Sequence, residues 1–349
     1  MGKTNTPEFT MSFFTNNLVY GKTLNPYDLQ RSPGGSSGGA AAIIAAGGSP
    51  FDIGTDTGGS IRFPAHCCGI VGFKPTSGRV PRTGHIINYS GLAQSLTHIG
   101  PLAKSVDDVD LLYKIIAGVD NVDPYIYPAP ILDNKKFDLK NLRAAFYINN
   151  EIEKPTIDTY TIFQKVISMI SKAGVDINEV QAPGIKSQIE LIDELDIPSG
   201  YLISGEGLNR LLEKCGTTKT SLDWLSKVKN PTSVELCKLV ERVDNLRSEM
   251  LSFWNNHDVL ICPVSSNPAP LWTAESELPQ AYFGYTSLYN TLGWPSIVVR
   301  GGTSVEGLPI GIQIVAPPWR EDICLNVAKF LETELGDFKN NVISKTFTS

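Results

Sequence analysis

The sequence has only four histidines, and none of them stands in a context typical of a catalytic base. Its six cysteines follow no disulfide spacing and no Cys-x-x-Cys pattern, which is typical of reduced thiols in the cytoplasm. It has no signal peptide and no apolar run long enough to cross a membrane. We therefore expect a cytoplasmic protein without an integral membrane segment.

Charge is also scarce, at 19% of the residues, and the formal net charge is −6. Lys135-Lys136 is the only adjacent lysine pair, so the sequence offers no basic face for nucleic acid. Hydrophobic residues make up 42% of the 349, which is enough for a sizeable core. The composition therefore indicates a globular protein that does not bind nucleic acid.

Glycine is concentrated between Pro33 and Pro81, beside serine or threonine. It forms two clusters, GGSSGG at 34–39 and TGGS at 57–60. The alanine-rich run between them, at 40–46, predicts a buried helix because it is apolar on all sides. Glycine costs conformational entropy, so a stable protein keeps it where the backbone must approach something closely. This stretch therefore indicates a site.

Apolar periodicity and helix caps predict alternating helices and strands elsewhere. Ser105 would cap one helix, and Thr232 with Glu235 would form the capping box of another. Further helices are predicted at 162–174 and 320–336, and strands at 144–148, 175–180, 258–263, 294–299 and 308–315. The alternation favours an α/β class with helices on both faces of a sheet.

Three kinds of site compete for the glycine–serine clusters. A phosphate cradle would use glycine-rich turns before a helix, but neither GxGxxG nor the P-loop pattern occurs. An α/β-hydrolase elbow fits GxSxG at 34–38 and 35–39, yet it needs a suitable downstream histidine. An aspartic protease would use Asp56-Thr57-Gly58, but no second such triplet forms the dyad.

A fourth interpretation uses both clusters, with Ser60 as a nucleophile. Because serine is a weak nucleophile until a base activates it, Ser36 would accept its proton. With no suitable histidine, the final base should be a lysine kept neutral by burial and neighbours. The oxyanion would be stabilised by the backbone amides of Thr57, Gly58, Gly59 and Ser60.

The two clusters together resemble the amidase signature family. GGSSGG is followed by TDTGGSIRFPA, and Ser60 lies 24 positions after Ser36. LTHIGPLAKSVDDVDLL at 96–112, GLPIGIQIVAP at 307–317 and GKTNTPEF at 2–9 also resemble that family, most closely its bacterial amidases and its fatty acid amide hydrolase 2-like group. The resemblance implies the amidase-signature fold, a mixed central β-sheet with helices on both faces. It implies one domain over 1–349, with a variable substrate-pocket region at 120–290.

The resemblance also implies a mechanism, a Ser–cis-Ser–Lys triad. Ser60 would be the nucleophile, and Ser36 would bridge to the lysine from a cis Gly35–Ser36 peptide. The reaction would hydrolyse a small-molecule carboxylic amide to an acid and ammonia or an amine through an acyl-enzyme, without metal or cofactor. The implied supporting residues are Ser37, Asp56 and Arg62.

One part of the family pattern has no counterpart in the sequence. The family's lysine precedes GGSSGG in a segment that ends in Lys-Asp or Lys-Glu, whereas Lys3 belongs to the GKTN block and Lys74 to GFKPT. We therefore expect the catalytic lysine to be absent from this chain and the amidase domain to be N-terminally incomplete.

Two other functions stay open. One is a catalytically inactive, truncated remnant or binding module with the amidase scaffold. The other is the glutaminase component of a tRNA-dependent amidotransferase, which works only with partner subunits. For assembly, the sequence leaves a homodimer open.

Overall fold

A mixed eight-stranded sheet forms the centre of the computed structural model, which describes residues 2–85, 95–132, 138–191, 216, 232–274 and 284–336. In chain order the strands are β1 (Phe51–Asp56), β2 (Val71–Lys74), β3 (His98–Ala103), β4 (Arg143–Phe146), β5 (Asp176–Glu179), β6 (Val259–Pro263), β7 (Ser296–Thr303) and β8 (Pro309–Val315). Their spatial order is β1-β3-β2-β7-β8-β6-β4-β5. Neighbours are antiparallel from β1 to β6, and β6, β4 and β5 are parallel. The mixed sheet is as predicted.

Helices cover the sheet on both faces. They are α1 (Gly38–Ala45), α2 (Arg62–Cys68), α3 (Val106–Ile116), α4 (Ile157–Lys172), α5 (Ser233–Leu251), α6 (Ser287–Thr291) and α7 (Glu321–Leu335), and residues 185–191 are also helical. Short 3-10 helices lie at Glu8–Thr10, Leu139–Asn141, Ser252–Asn255 and Trp272–Ala274.

Strand β7 shows why both faces are apolar. Side chains alternate along a strand, so Ile297 and Val299 lie on one face and Val298 on the other. Ile297 and Val299 belong to a buried cluster with residues of α3, α4 and α7. Val298 packs in a second cluster with residues of α1 and α2. The sheet is therefore buried between two helical layers, as the sequence predicted.

The predicted helix caps are present. Ser105 Oγ accepts a hydrogen bond from the Asp108 amide, and Thr232 and Glu235 form both bonds of a capping box. Helix α4 begins earlier than predicted, at Ile157, because Thr156 caps it through the Thr159 amide. The prediction missed β1, β2, β3 and α2, which are short and lie in or near the glycine-rich stretch. Small residues leave too little periodicity there to reveal a strand.

Within the described ranges, no helix has the length and apolar character needed to cross a membrane. Residues 192–215, 217–231 and 275–283, all inside the predicted substrate-pocket region, lie outside the described residues.

We expect the chain to behave as one unit in limited proteolysis. Strand β2 pairs with both β3 and β7, so the sheet joins early and late parts of the sequence. Protease-treated protein should keep both halves together through size-exclusion chromatography even after a loop is cut. Isolation of two halves that each remain folded alone would contradict the single-domain prediction.

Candidate active site

Asp56 closes the turn that carries Ser60. It is the last residue of β1, and α2 begins six residues later at Arg62. Asp56 Oδ2 accepts hydrogen bonds from the amides of Ile61 at 3.1 Å and Arg62 at 3.3 Å. One carboxylate therefore ties the end of the strand to the start of the helix, with residues 57–60 between them.

Arg62 completes this closure with its side chain. Its Nε and Nη2 donate to the two carboxylate oxygens of Asp56 at 3.0 and 2.9 Å, and both side chains are fully buried. This bidentate geometry is the strong form of an arginine–carboxylate pair. The other acceptors of the guanidinium lie far along the chain: Thr286 O (2.9 Å), Asn290 Oδ1 (2.6 Å) and Gln313 Oε1 (2.7 Å). The turn is thus fixed to α6 and β8.

Asp56 stays ionised despite its burial. Burial by itself raises the pKa of this carboxyl, but the charge and hydrogen bonds of Arg62 outweigh it. The Lys74 charge and an Asn290 hydrogen bond at 2.8 Å act in the same direction. The pKa of Asp56 is therefore held far below its usual range. This ionised pair organises the loop, and neither member is placed to shuttle a proton.

The first serine cluster lies against this turn. The Gly35–Ser36 peptide is cis, as the resemblance implied. The Ser37 amide donates to the Ser60 carbonyl at 3.1 Å, which brings the two clusters together. A Cβ on Gly35 would stand 2.5 Å from Ser12 O, so only glycine fits there. Ser36, Ser37 and Ser60 are 1%, 5% and 8% exposed, so all three serines are buried.

The predicted oxyanion residues lie in this same turn. In the described part of the chain, the amides of Ile61 and Arg62 are occupied by Asp56, whereas those of Gly59 and Ser60 meet no protein acceptor. Thr57 Oγ1 lies 3.0 Å from Thr97 Oγ1. The amides of Thr57 and Gly58 meet no acceptor among the described residues either, so the turn leaves four consecutive N–H groups available for a ligand oxygen.

His66 and His98 are buried and form hydrogen bonds with the main chain. His66 Nδ1 accepts from the Gly311 amide at 2.9 Å, and Nε2 lies 3.0 Å from Asn267 O. Burial lowers the pKa of His66 to about 4. His98 Nδ1 lies 2.9 Å from Leu96 O, and burial followed by the Lys74 charge lowers its pKa. These two of the four histidines thus have main-chain partners and lowered pKa values.

Lys74 has the lowered pKa expected of the base, but its amine contacts main-chain oxygens and not Ser36. Burial, and then the positive charge of Arg62, hold its pKa well below the ordinary value of 10.5. Its Nζ donates to the main-chain oxygens of Trp294 and Pro75. Lys3 is exposed on the surface. In the described residues, no lysine side chain hydrogen-bonds to Ser36.

Sequence reasoning missed the residues that hold Arg62. Asn290 and Gln313 are buried, and the side-chain oxygen of each accepts from Arg62. Their side-chain nitrogens donate to main-chain carbonyls, Asn290 to Asp56 O and Gln313 to Tyr285 O. Gln313 lies in the quoted GLPIGIQIVAP block, so its position was visible although its role was not. Nothing in the sequence around Asn290 points to a partner 234 positions earlier.

The structure thus combines a mixed sheet, helices on both of its faces, and a buried serine in a glycine-rich turn. The amidase family profile matches residues 1–325 of the chain. The chain therefore belongs to the amidase family, whose members are amide-hydrolysing enzymes.

Individual relatives agree with this assignment. The chain is 31% identical to a glutamyl-tRNA(Gln) amidotransferase subunit from Fusobacterium nucleatum, over 96% of this chain and 74% of that protein. It is also 31% identical to an acylamidase from Rhodococcus erythropolis, over 95% of this chain and 71% of that protein. A similar solved structure is that of 6-aminohexanoate cyclic dimer hydrolase, with a TM-score of 0.86 and 27% identity. The match covers 98% of this chain and 77% of that chain.

Replacing Asp56 by asparagine tests the buried pair. Asp56→Asn leaves the Arg62 charge buried without its counter-ion, and we expect the free energy of unfolding at pH 7 to fall by about 3–5 kcal/mol. The pKa of Asp56 is lower in the folded chain than in the unfolded chain. Its contribution is therefore complete above its ordinary value of 3.8 and is lost as the pH falls below it. Urea unfolding at pH 7 and near pH 3 should show the difference shrinking at the lower pH.

The matched control is Asp244→Asn, which removes an exposed carboxylate 3.3 Å from Arg247. Surface pairs contribute little, so this variant should unfold like the wild type. Equal stability of all three proteins at pH 7 would contradict the role assigned to Asp56.

Proposed function

We propose that this chain carries the nucleophile and the oxyanion donors for hydrolysis of a carboxylic amide through an acyl-enzyme on Ser60, in a reaction that also needs the family's lysine as base. The observation that supports this most directly is the turn between Asp56 and Arg62. It holds Ser60 next to the Ser36–Ser37 segment and leaves the Gly59 and Ser60 amides available. A nucleophile, a neighbouring hydroxyl and donors for a developing negative charge are the parts that acyl transfer requires.

The reaction would proceed in two halves. Ser60 Oγ attacks the amide carbonyl while its proton passes to Ser36, and from there to a neutral lysine amine. The tetrahedral oxyanion accepts hydrogen bonds from amides of the Thr57–Ser60 turn. The C–N bond then breaks, and the leaving nitrogen takes the proton. Water attacks the acyl ester in the second half, which releases the acid and restores Ser60.

The other predicted residues have supporting roles in this proposal. Asp56 and Arg62 fix the turn through the contacts described above, and Ser37 ties the two loops together. Ser37 Oγ lies 3.4 Å from Thr55 O, at the end of β1. Ser37 thus acts on the geometry of Ser36 and Ser60 and not on the substrate.

Labelling tests Ser60 as the acylated residue. In a version of the chain that carries the family's lysine, a fluorophosphonate probe should form an adduct on Ser60, identified by peptide mass spectrometry. Ser60→Ala should abolish the labelling, whereas Ser49→Ala, a serine outside the site, should leave it unchanged. Labelling that survives Ser60→Ala would overturn the assignment.

Turnover of a simple aryl amide tests the base. General-base catalysis typically raises the reaction rate about 10²–10⁴-fold. Among the described residues, no lysine side chain hydrogen-bonds to Ser36. We therefore expect the 349-residue chain to show little or no activity. Addition of an upstream segment with the family's lysine should restore turnover at mildly alkaline pH, where more of the amine is neutral. Changing that lysine to alanine should abolish it again.

Equal turnover by the short and extended chains would contradict this assignment. The base would then lie within residues 1–349, and Lys74→Met would test the buried lysine directly. Lys74 also donates hydrogen bonds to main-chain oxygens, so its replacement could destabilise the fold. The melting temperature of the Lys74→Met variant should therefore be compared with that of the wild type.

A glutaminase role is the second candidate, favoured by the similarity to glutamyl-tRNA(Gln) amidotransferase subunits. A comparison of substrates distinguishes the glutaminase from the general amidase. It measures release of glutamate from glutamine beside turnover of aryl and long-chain amides. Preference for glutamine would favour the glutaminase. No turnover by any version would favour the inactive remnant.

A further inference from the structure

Three consecutive carbonyls in the Ser60 turn are held by hydrogen-bond donors. The Gly58 carbonyl accepts from Thr286 Oγ1 at 2.5 Å. The Gly59 carbonyl accepts from the Phe63 amide at 2.7 Å, and the Ser60 carbonyl accepts from the Ser37 amide at 3.1 Å. Two of these donors are backbone amides, whereas the first is a side chain that a substitution can remove.

Holding a carbonyl also orients the amide that follows it. A trans peptide is planar, and its C=O and N–H point in opposite directions. The Gly58–Gly59 peptide is trans, since the cis bond among the described residues is Gly35–Ser36. The bond from Thr286 therefore turns the Gly59 N–H away from Thr286. In the same way, the bond from Phe63 turns the Ser60 N–H away from α2.

We propose that Thr286 is a positioning residue that aims the Gly59 amide at the reacting carbonyl oxygen. This inference rests on the proposed function of the Ser60 turn. Thr286 lies immediately before α6 and is fully buried. Its own carbonyl accepts from Arg62 Nη1 at 2.9 Å, so the pair that closes the turn also holds Thr286 in place.

The local packing leaves the Gly58–Gly59 peptide little freedom while Thr286 is present. Gly59 has a backbone φ of +138°, a value that residues other than glycine rarely adopt. A Cβ at this position would stand 2.4 Å from Thr286 Oγ1. Gly58, by contrast, has only Phe13 Cζ near its Cβ position, at 3.6 Å. The peptide plane is thus free to rotate on the Gly58 side, and the hydroxyl of Thr286 is what resists that rotation.

The test compares Thr286→Val, which keeps the shape but loses the hydroxyl, with Thr286→Ser, which keeps the hydroxyl. Both are made in whichever version of the chain hydrolyses the aryl amide. Loss of one oxyanion donor costs about 10²–10³-fold in kcat, and a misaimed donor should cost less. We expect kcat to fall about 10- to 100-fold in Thr286→Val with KM nearly unchanged, because the oxyanion forms only in the transition state. Thr286→Ser should restore most of the rate.

Thr291→Val is the matched control. Thr291 is also buried and lies in α6, and its Oγ1 is 3.5 Å from Ser287 O, away from the turn. It should leave kcat unchanged, which separates positioning from a general loss of stability. An unchanged kcat in Thr286→Val, or an equal loss in Thr286→Val and Thr291→Val, would overturn the inference.

A crystal structure of Thr286→Val gives a result that does not depend on turnover. A rotated Gly58–Gly59 peptide would support the positioning role even if no version hydrolyses an amide and the proposed function fails. An unrotated peptide would overturn the positioning role even if the enzyme is active.

Discussion

The buried ion pair between Asp56 and Arg62 is the interaction on which the site depends. Removing two charges from water is costly, and such a pair persists only when its remaining hydrogen-bonding groups are satisfied. Here both carboxylate oxygens and several guanidinium N–H groups have partners. The pair is therefore a rigid support for a glycine-rich turn that would otherwise adopt many conformations.

The order of the strands in the sheet sets the distance between Asp56 and Gln313, which both bind Arg62. Asp56 ends β1 at one edge of the sheet, whereas Gln313 lies on β8 nearer its centre. Arg62, at the start of α2, reaches both because α2 packs across β7 and β8. The long side chain thus connects strands that are not neighbours. A change in the packing of α2 would therefore reach the serine turn through the Arg62 side chain as well as through the amides of Ile61 and Arg62.

Close backbone approach explains why the sequence devotes so many glycines to this region. A Cβ on Gly38 would stand 2.2 Å from Thr15 Oγ1, and one on Gly39 would stand 2.4 Å from Asn5 O. Both glycines open α1, directly after the cis Gly35–Ser36 peptide and Ser37. The glycine pattern in the sequence therefore reported a real packing constraint around the candidate site.

The sequence was least informative about long-range partners. The cis Gly35–Ser36 peptide was implied by the family resemblance that the GGSSGG motif carries, and the Ser105 and Thr232 caps follow from spacing along one helix. Asn290 reaches Asp56 only after the whole sheet has formed, so no local pattern could predict that contact. The lowered pKa of Lys74 likewise arises from burial beside Arg62 and not from its neighbours in sequence. The short strands β1 and β2 were missed because neighbouring strands, and not apolar periodicity, stabilise them.

The central claim is that the Asp56–Arg62 pair presents the Thr57–Ser60 amides to an oxyanion formed on Ser60. A crystal structure of a covalent phosphonate adduct, in a version of the chain that reacts with the probe, tests it most directly. The account predicts phosphorus bonded to Ser60 Oγ and a phosphonyl oxygen about 2.7–3.1 Å from the amide nitrogens of Gly59 and Ser60. An adduct on another residue, or a phosphonyl oxygen directed to solvent away from those amides, would contradict it.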